Sequence, residues 1–235
     1  MVIDGPTLLD EALAAGLVVR EVLAEASVDP ALLARAEAAG ALVRPVRDDV
    51  LAGAVDAVTP QGVASIAERH DAALADAVAA AATGVLCLVL VDVGDPGNAG
   101  TLLRTAEAFG ASAAVLTGAT VDPWNPKCVR ASAGAIFRIP IAVADDPLPV
   151  LTALADAAVP TVAAVARGGA SPTSLDLRGP VALVLGSEAH GLAEPVAAAA
   201  TSRVTIPTPG PTESLNVAMA GAVLCYEASR QRSGT

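Results

Sequence analysis

Apolar positions recur along the chain in two rhythms, one helical and one extended, and the rhythm changes at turn residues. Near the N-terminus Leu8, Leu9, Ala12 and Leu13 fall at helical spacing. Pro6 precedes them, where a first helical turn tolerates it, and Gly16 stops the run. Residues 17–23 read as a strand. Asp29-Pro30 opens a second helix that Gly40 closes. Residues 41–46 and 62–67 read as further strands. This part predicts a small α/β unit. The Ala-rich stretch 71–82 is the natural junction, as a helix or a linker, with the domain boundary expected near residue 80. That divides the chain into 1–80 and 81–235.

The second part alternates more strongly. Candidate strands are 85–91, 113–117, 137–141, 161–165, 181–185 and 202–206, with helices between them and a long last helix from Ser214 to about Arg230. Strands that are continuous apolar runs separated by helices predict an α/β fold with a parallel sheet covered on both faces. Ligands in such sheets bind beyond the carboxyl ends of the strands. The loops after Val91, Leu185 and Ile206 are therefore where chemistry is expected.

Composition narrows the function classes. Hydrophobic residues make up 54% of the 235 residues and charged residues 17%, enough to bury a core. Aromatics are only 2%, so any base-stacking platform is sparse. Basic residues number 14 and acidic 25, a net charge of −11, which excludes coating nucleic acid by bulk charge but not a local basic patch. The first 83 residues hold 5 basic and 13 acidic side chains, so that half is the more acidic. No basic n-region and apolar h-region open the chain. Its longest apolar run, 77–91, is broken by Thr83-Gly84 and is shorter than the roughly 18 residues a bilayer span needs. Cys87, Cys128 and Cys225 are widely spaced without CxxC or histidine partners. They read as small buried hydrophobes in a reducing cytosol, and no metal site is expected.

Three segments carry candidate chemistry. The first runs from Asp92 to Gly110. Its glycines fall at 94, 97 and 100, which is GxxGxxG, so the GxGxxG dinucleotide fingerprint fails. Asn98 can cap the helix beginning there. Leu102, Ala106 and Phe109 form its buried stripe, and Arg104 lies opposite, as a solvated or Glu107-paired arginine or as a functional one. The second is Leu185-Gly186-Ser187-Glu188-Ala189-His190-Gly191-Leu192. Gly186 and Gly191 permit a tight backbone and close approach of a ligand. Glu188 suits a helix N-terminal turn or a site. His190 lacks a neighbouring orienting carboxylate or nucleophile and is more often polar surface, as is His70. The third runs from Ile206-Pro207 to Ser214-Leu215-Asn216, with Ser214 able to cap the last helix. That helix is apolar nearly all round. Leu215, Met219, Ala222 and Tyr226 make one stripe, and Val217, Ala220, Gly221 and Leu224 another. One stripe serves the sheet and the other needs a second partner, which predicts a two-fold homodimer with Gly221 and Leu224 at the seam. Residues 124–138 carry Lys127, Arg130 and Arg138 with no acid, a local patch suited to RNA phosphates.

These segments resemble motifs 1, 2 and 3 of the SpoU family of RNA 2′-O-ribose methyltransferases, within the SPOUT superfamily. Asn98, Arg104 and Phe109-Gly110 match motif 1. Leu185, Gly186, Glu188, Gly191 and Leu192 match motif 2. Ile206-Pro207 and Ser214-Leu215-Asn216-Val217 match motif 3, and 126–138 resembles the stretch between motifs 1 and 2. The resemblance covers 85–230. The first 80 residues resemble, more loosely, the family's small substrate-binding domain at Asp4-Gly5-Pro6 and Gln61-Gly62-Val63. Members with that domain begin with a basic helix that this chain lacks, so the helix is dispensable or the start is truncated.

The resemblance implies a sheet whose C-terminal segment is threaded into a trefoil knot, which no periodicity could have found. It implies S-adenosylmethionine as cofactor, bound by Leu185, Gly186, Gly191, Ile206, Pro207, Ser214 and Leu215. It implies a catalytic set of Asn98, Arg104, Glu188, Ser214 and Asn216, and an obligate homodimer with its active site at the seam. The expected substrate is RNA, ribosomal ahead of transfer RNA, methylated in the cytoplasm at a ribose 2′-hydroxyl without a metal. Arg104 is the family's aid to deprotonation or, since guanidinium stays protonated, a stabiliser of developing alkoxide. A base-methylating SPOUT enzyme and a non-catalytic RNA-binding relative are the alternatives; the polar set at 98, 104, 188 and 214–216 argues against the first. The glycine spacing argues against a dinucleotide oxidoreductase.

Overall fold

Prolines preceded by a capping side chain start four of the helices. In the computed structural model, which describes residues 1–48, 50–53, 61–211 and 214–233, helices α1 (Pro6–Ala14), α2 (Pro30–Ala38), α4 (Pro96–Ala108), α5 (Pro126–Ser132) and α6 (Pro147–Asp156) each begin at proline. Asp29, Asp95, Asn125 and Asp146 cap α2, α4, α5 and α6 by accepting a main-chain N–H two or three residues on. The proline presets φ and sacrifices an N–H that has no partner in a first turn, while the cap satisfies one that does need one. The other helices are α3 (Leu74–Thr83), α7 (Glu194–Ala199) and α8 (Val217–Ser233).

The small unit is a four-stranded sheet of β1 (Val2–Asp4), β4 (Val63–Ala67), β2 (Val19–Ala24) and β3 (Leu42–Pro45), in that order. The large unit is an all-parallel sheet in the order β10 (Ser202–Val204), β8 (Thr161–Ala164), β9 (Val181–Leu185), β5 (Leu86–Val91), β6 (Ala111–Thr117), β7 (Ile141–Ala144). Both its faces are covered, as the apolar strands require. Leu86, Leu88 and Leu90 point into a core shared with α4, α5 and α8, and Cys87, Val89 and Val91 into one shared with α3, α6 and α7. All three cysteines are buried and free. Among the described residues no helix is long and apolar enough to cross a membrane.

The expected boundary near residue 80 stands on α3, and three expectations of secondary structure need correction. Helix α3 packs on β6, β7 and α6, and Ala72 already donates to Ile141 O at 2.8 Å. The chain thus joins the large sheet before α3 begins. The strand expected at 137–141 is instead a 3-10 turn, Ala135–Phe137, followed by β7 four residues later than expected. Ala133 and Gly134 end α5 in left-handed conformations, and Pro140 has no N–H to give a sheet ladder. The last helix starts at Val217, not Ser214. Its cap is Asn216, whose Oδ1 accepts Ala218 N–H at 2.8 Å and Met219 N–H at 3.3 Å. Asp95, not Asn98, caps α4.

The units share one apolar cluster, which includes Ile3 and Leu9 on one side and Val129 and Ile136 on the other, and polar ties flank it. Arg130 on α5 lies 3.7 Å from Asp4 at the end of β1. Arg138 pairs with Glu11 of α1 and, at 2.7 Å, with Glu107 of α4. On the linker leaving β4, Arg69 pairs with Asp122 at 3.3 Å and Asp71 accepts the indole N–H of Trp124.

Candidate active site

Strand β5 ends in a strained corner. Asp92 adopts φ 57°, rare for a residue with a side chain, and its Oδ1 holds Ala119 N–H at 2.7 Å. The turn aims the next amides outward. Gly94 and Asp95 N–H each donate to the carboxylate of Glu188 at 3.3 Å, and Asn98 Nδ2 donates to Glu188 Oε1 at 3.0 Å. Glu188 belongs to no helix; it faces the N-terminus of α4, where the dipole favours an anion. Partial burial pushes its carboxyl up, but the bonds from Asn98 and from the N–H groups of Glu188, Asp95 and Gly94 together hold it below its ordinary value.

Asn98 passes the order on. With Nδ2 committed to Glu188, its Oδ1 accepts from Asn216 Nδ2 at 3.2 Å. The Asn216 amide is fixed in turn, because its Oδ1 caps α8. A carboxylate, two amides and a helix N-terminus thus form one oriented chain of hydrogen bonds. The three loops singled out by sequence meet in it.

Beside this chain, at the carboxyl ends of β8, β9 and β10, lies a cavity of about 340 Å³. Leu185, Gly186, Gly191, Ile206, Ser214 and Leu215 all line it, as do Glu188 and the exposed His190. Pro207 does not; it is exposed. Ala164, Val165 and Ala166 line the cavity unforeseen, from the end of β8. The strand-end rule finds them once β8 is known to adjoin β9. The reason for Gly186 also changes. A Cβ there would collide with the backbone of Gly191 and Leu192, so glycine is demanded by the loop's own closure. That closure includes Gly191 N–H donating to Ser187 O at 2.8 Å, with Gly191 at φ 66°.

Arg104 is exposed on α4 and is not among the lining residues; among the described residues it has no ion-pair partner, and Glu107 pairs with Arg138 instead. Lys127, Arg130 and Arg138 of the basic stretch 124–138 each have a carboxylate partner. Lys127 pairs with Asp95 at 3.1 Å, Arg130 with Asp4, and Arg138 with Glu11 and Glu107. The stretch has no acid of its own, but the fold brings carboxylates from four other segments to it.

Comparison with known proteins gives the family. Residues 85–226 match the model of the SpoU rRNA Methylase family. A 23S rRNA (guanosine-2'-O-)-methyltransferase RlmB of Xanthomonas axonopodis is 40% identical over 227 residues, covering 92% of this chain and 90% of that protein. An uncharacterized tRNA/rRNA methyltransferase of Synechocystis is 40% identical over 147 residues, 63% of this chain and 54% of that one, so the match spans about half its length. The crystal structure of an AdoMet-bound rRNA methyltransferase from Sinorhizobium meliloti superimposes with a TM-score of 0.87 at 33% identity, covering 97% of this chain and 86% of that chain.

Proposed function

The chain belongs to the SpoU rRNA methylase family, and from that premise we propose that it methylates a ribose 2′-hydroxyl of RNA, ribosomal RNA in the first place, using S-adenosylmethionine. The observation that carries this reading is the hydrogen-bonded chain Glu188–Asn98–Asn216, which Glu188 joins to the cavity. The cavity fits the cofactor. Its volume of about 340 Å³ lies within the roughly 300–1,000 Å³ of small-molecule sites. Leu185, Ile206 and Leu215 offer an apolar slot beside loop backbone, as an adenosine requires.

S-adenosylmethionine supplies, when bound, a methyl group already activated on a sulfonium. The protein's part is to hold the ribose oxygen in line and stabilise charge developing on it. Glu188 is bonded to three donors and kept ionised, so we assign it to holding Asn98 rather than to proton transfer. Asn98 and Asn216 each keep one amide N–H beyond the bonds described, and these are directed to the ribose. Ser214, exposed at the cavity, adds a hydroxyl. Arg104 stands six residues beyond Asn98, a rise of about 9 Å along the helix. Its guanidinium stays protonated, so its role is to stabilise the alkoxide and an adjoining phosphate.

The same reading extends to a homodimer, a knotted C-terminal path and a cytoplasmic enzyme that needs no metal. The dimer is supported by an apolar stripe on α8 that stays exposed among the described residues: Met219 is 53% exposed, Val223 41% and Tyr226, whose ring meets Phe109 edge-on, 56%. Gly221 and Leu224 face inward, with Gly221 against Leu102, so the proposed seam is the opposite face of α8 from the one expected. The test is mass spectrometry of ribosomal RNA nucleosides from a deletion strain, with the purified enzyme restoring the change. A missing 2′-O-methyl nucleoside is expected; a missing methylated base, or no change, overturns the proposal.

A further inference from the structure

The chain's single lysine reaches the site from outside the three loops. Lys127, in the first turn of α5, places Nζ 3.1 Å from Asp95 Oδ2. The other carboxylate oxygen, Oδ1, accepts Asn98 N–H at 2.8 Å, and the Asp95 N–H reaches Glu188 Oε1 at 3.3 Å. Asp95 therefore touches both residues that open the hydrogen-bonded chain. The space for this contact is kept by Gly97, where a Cβ would stand 2.8 Å from Asp95 Oδ1 and 3.5 Å from Lys127 Cε. The Asp95 carboxyl sits below its ordinary value, first through the Asn98 N–H and next through Lys127.

We infer that Lys127 is a positioning residue. With Asp95 it braces the N-terminal turn of α5 against that of α4 and so holds Asn98 and Glu188 in register with the ribose. A lysine at the rim of an RNA enzyme suggests a phosphate contact, but this ammonium is already committed to a carboxylate that accepts the Asn98 N–H, on a residue whose main-chain N–H reaches Glu188. The inference rests on the ribose-methylation reading, and concerns how that same site is held.

Turnover is measured on ribosomal RNA for the unmodified enzyme, Lys127→Ala, Lys127→Arg, Asp95→Asn and the Asp95→Asn/Lys127→Ala pair. Asp95→Asn keeps an oxygen for the Asn98 N–H and removes the charge. A brace predicts that Lys127→Ala lowers kcat roughly 3- to 10-fold, since small misplacements at a reacting centre are costly, with the KM for RNA unchanged. Lys127→Arg should recover most of the loss, and the double variant should be no worse than the poorer single one. A raised KM with kcat intact, and a salt dependence of RNA binding shallower by about one unit of slope, identifies a phosphate contact and overturns the brace. Additive losses overturn it as well. A readout independent of turnover is carboxyl NMR of Asp95, whose titration should move up toward the ordinary range in Lys127→Ala; no movement refutes the brace whatever the activity. An unmodified enzyme that makes no 2′-O-methyl nucleoside sinks the functional reading instead, and the NMR result then decides the brace alone.

Discussion

Asn216 Nδ2 donates to Asn98 Oδ1 at 3.2 Å, joining side chains 118 residues apart in the chain. Each amide is held at its far end, Asn98 by Glu188 and Asn216 by the first turn of α8. Asn98→Asp reverses one end, setting a second carboxylate against Glu188. Turnover should fall on the order of 100-fold, the cost of a small misplacement at a reacting centre, while S-adenosylmethionine affinity by calorimetry holds. Near-normal turnover would remove Asn98 from the site.

Arg104→Ala should lose about 100- to 1,000-fold in kcat, the range for removing one donor to developing charge. Cofactor binding should survive, because Arg104 does not line the cavity. Retained turnover on the RNA substrate contradicts the assignment.

Gly186→Ala is a test of loop closure. Its Cβ meets backbone, which cannot give way as a flexible side chain can. Overpacking of about 1–3 kcal/mol should lower the melting temperature on the order of 5 °C. Gly191→Ala meets no atom and bears only the strain of φ 66°, so it should be milder. Thermal melts in which Gly191→Ala proves the worse of the two would reverse this ranking.

Acid stability should depend on Glu227. Its carboxylate accepts from Arg230 and Gln231, and Gln231 in turn bonds Leu175 O and Leu177 N–H, fastening the end of α8. Arg230 first and Gln231 next bring its pKa from 4.5 down to about 2. A folded pKa below the unfolded one stabilises fully above 4.5, and the contribution is lost as pH falls toward 2. Urea unfolding should therefore show the gap between the unmodified protein and Glu227→Gln closing across that interval. A constant gap would show that the carboxylate is not linked to folding.

Met219→Arg and Tyr226→Arg lie on the exposed face of α8 and should yield folded monomers by light scattering. Leu224→Arg buries an unpaired charge in the core and should unfold the chain. A monomeric unmodified protein at micromolar concentration would end the dimer proposal.

Local rules made much of the fold legible. Asp29-Pro30 announced a helix start, and unbroken apolar runs announced a covered parallel sheet. The gathering of Asn98, Glu188 and Asn216 is tertiary, and only family resemblance pointed to it. Where polar residues crowd one helix start, spacing does not choose between them: Asp95 took the cap from Asn98, and Asn216 from Ser214. The partners of Lys127, Arg130 and Arg138, namely Asp4, Glu11, Asp95 and Glu107, lie elsewhere in the sequence, so spacing along 124–138 could not show the pairing. The displaced strand traces to Pro140, whose missing N–H outweighed an apolar run.

Trp124 is the only tryptophan, is 5% exposed, and gives its indole N–H to Asp71 on the linker leaving β4. The protein therefore carries a built-in optical reporter at the join between its two sheets, remote in sequence from the loops that form the cavity. Parting of the small unit from the large one would wet that ring and shift its emission to the red, while the circular dichroism of both units stayed intact. Fluorescence from one residue can thus separate loosening of the join from melting of the fold.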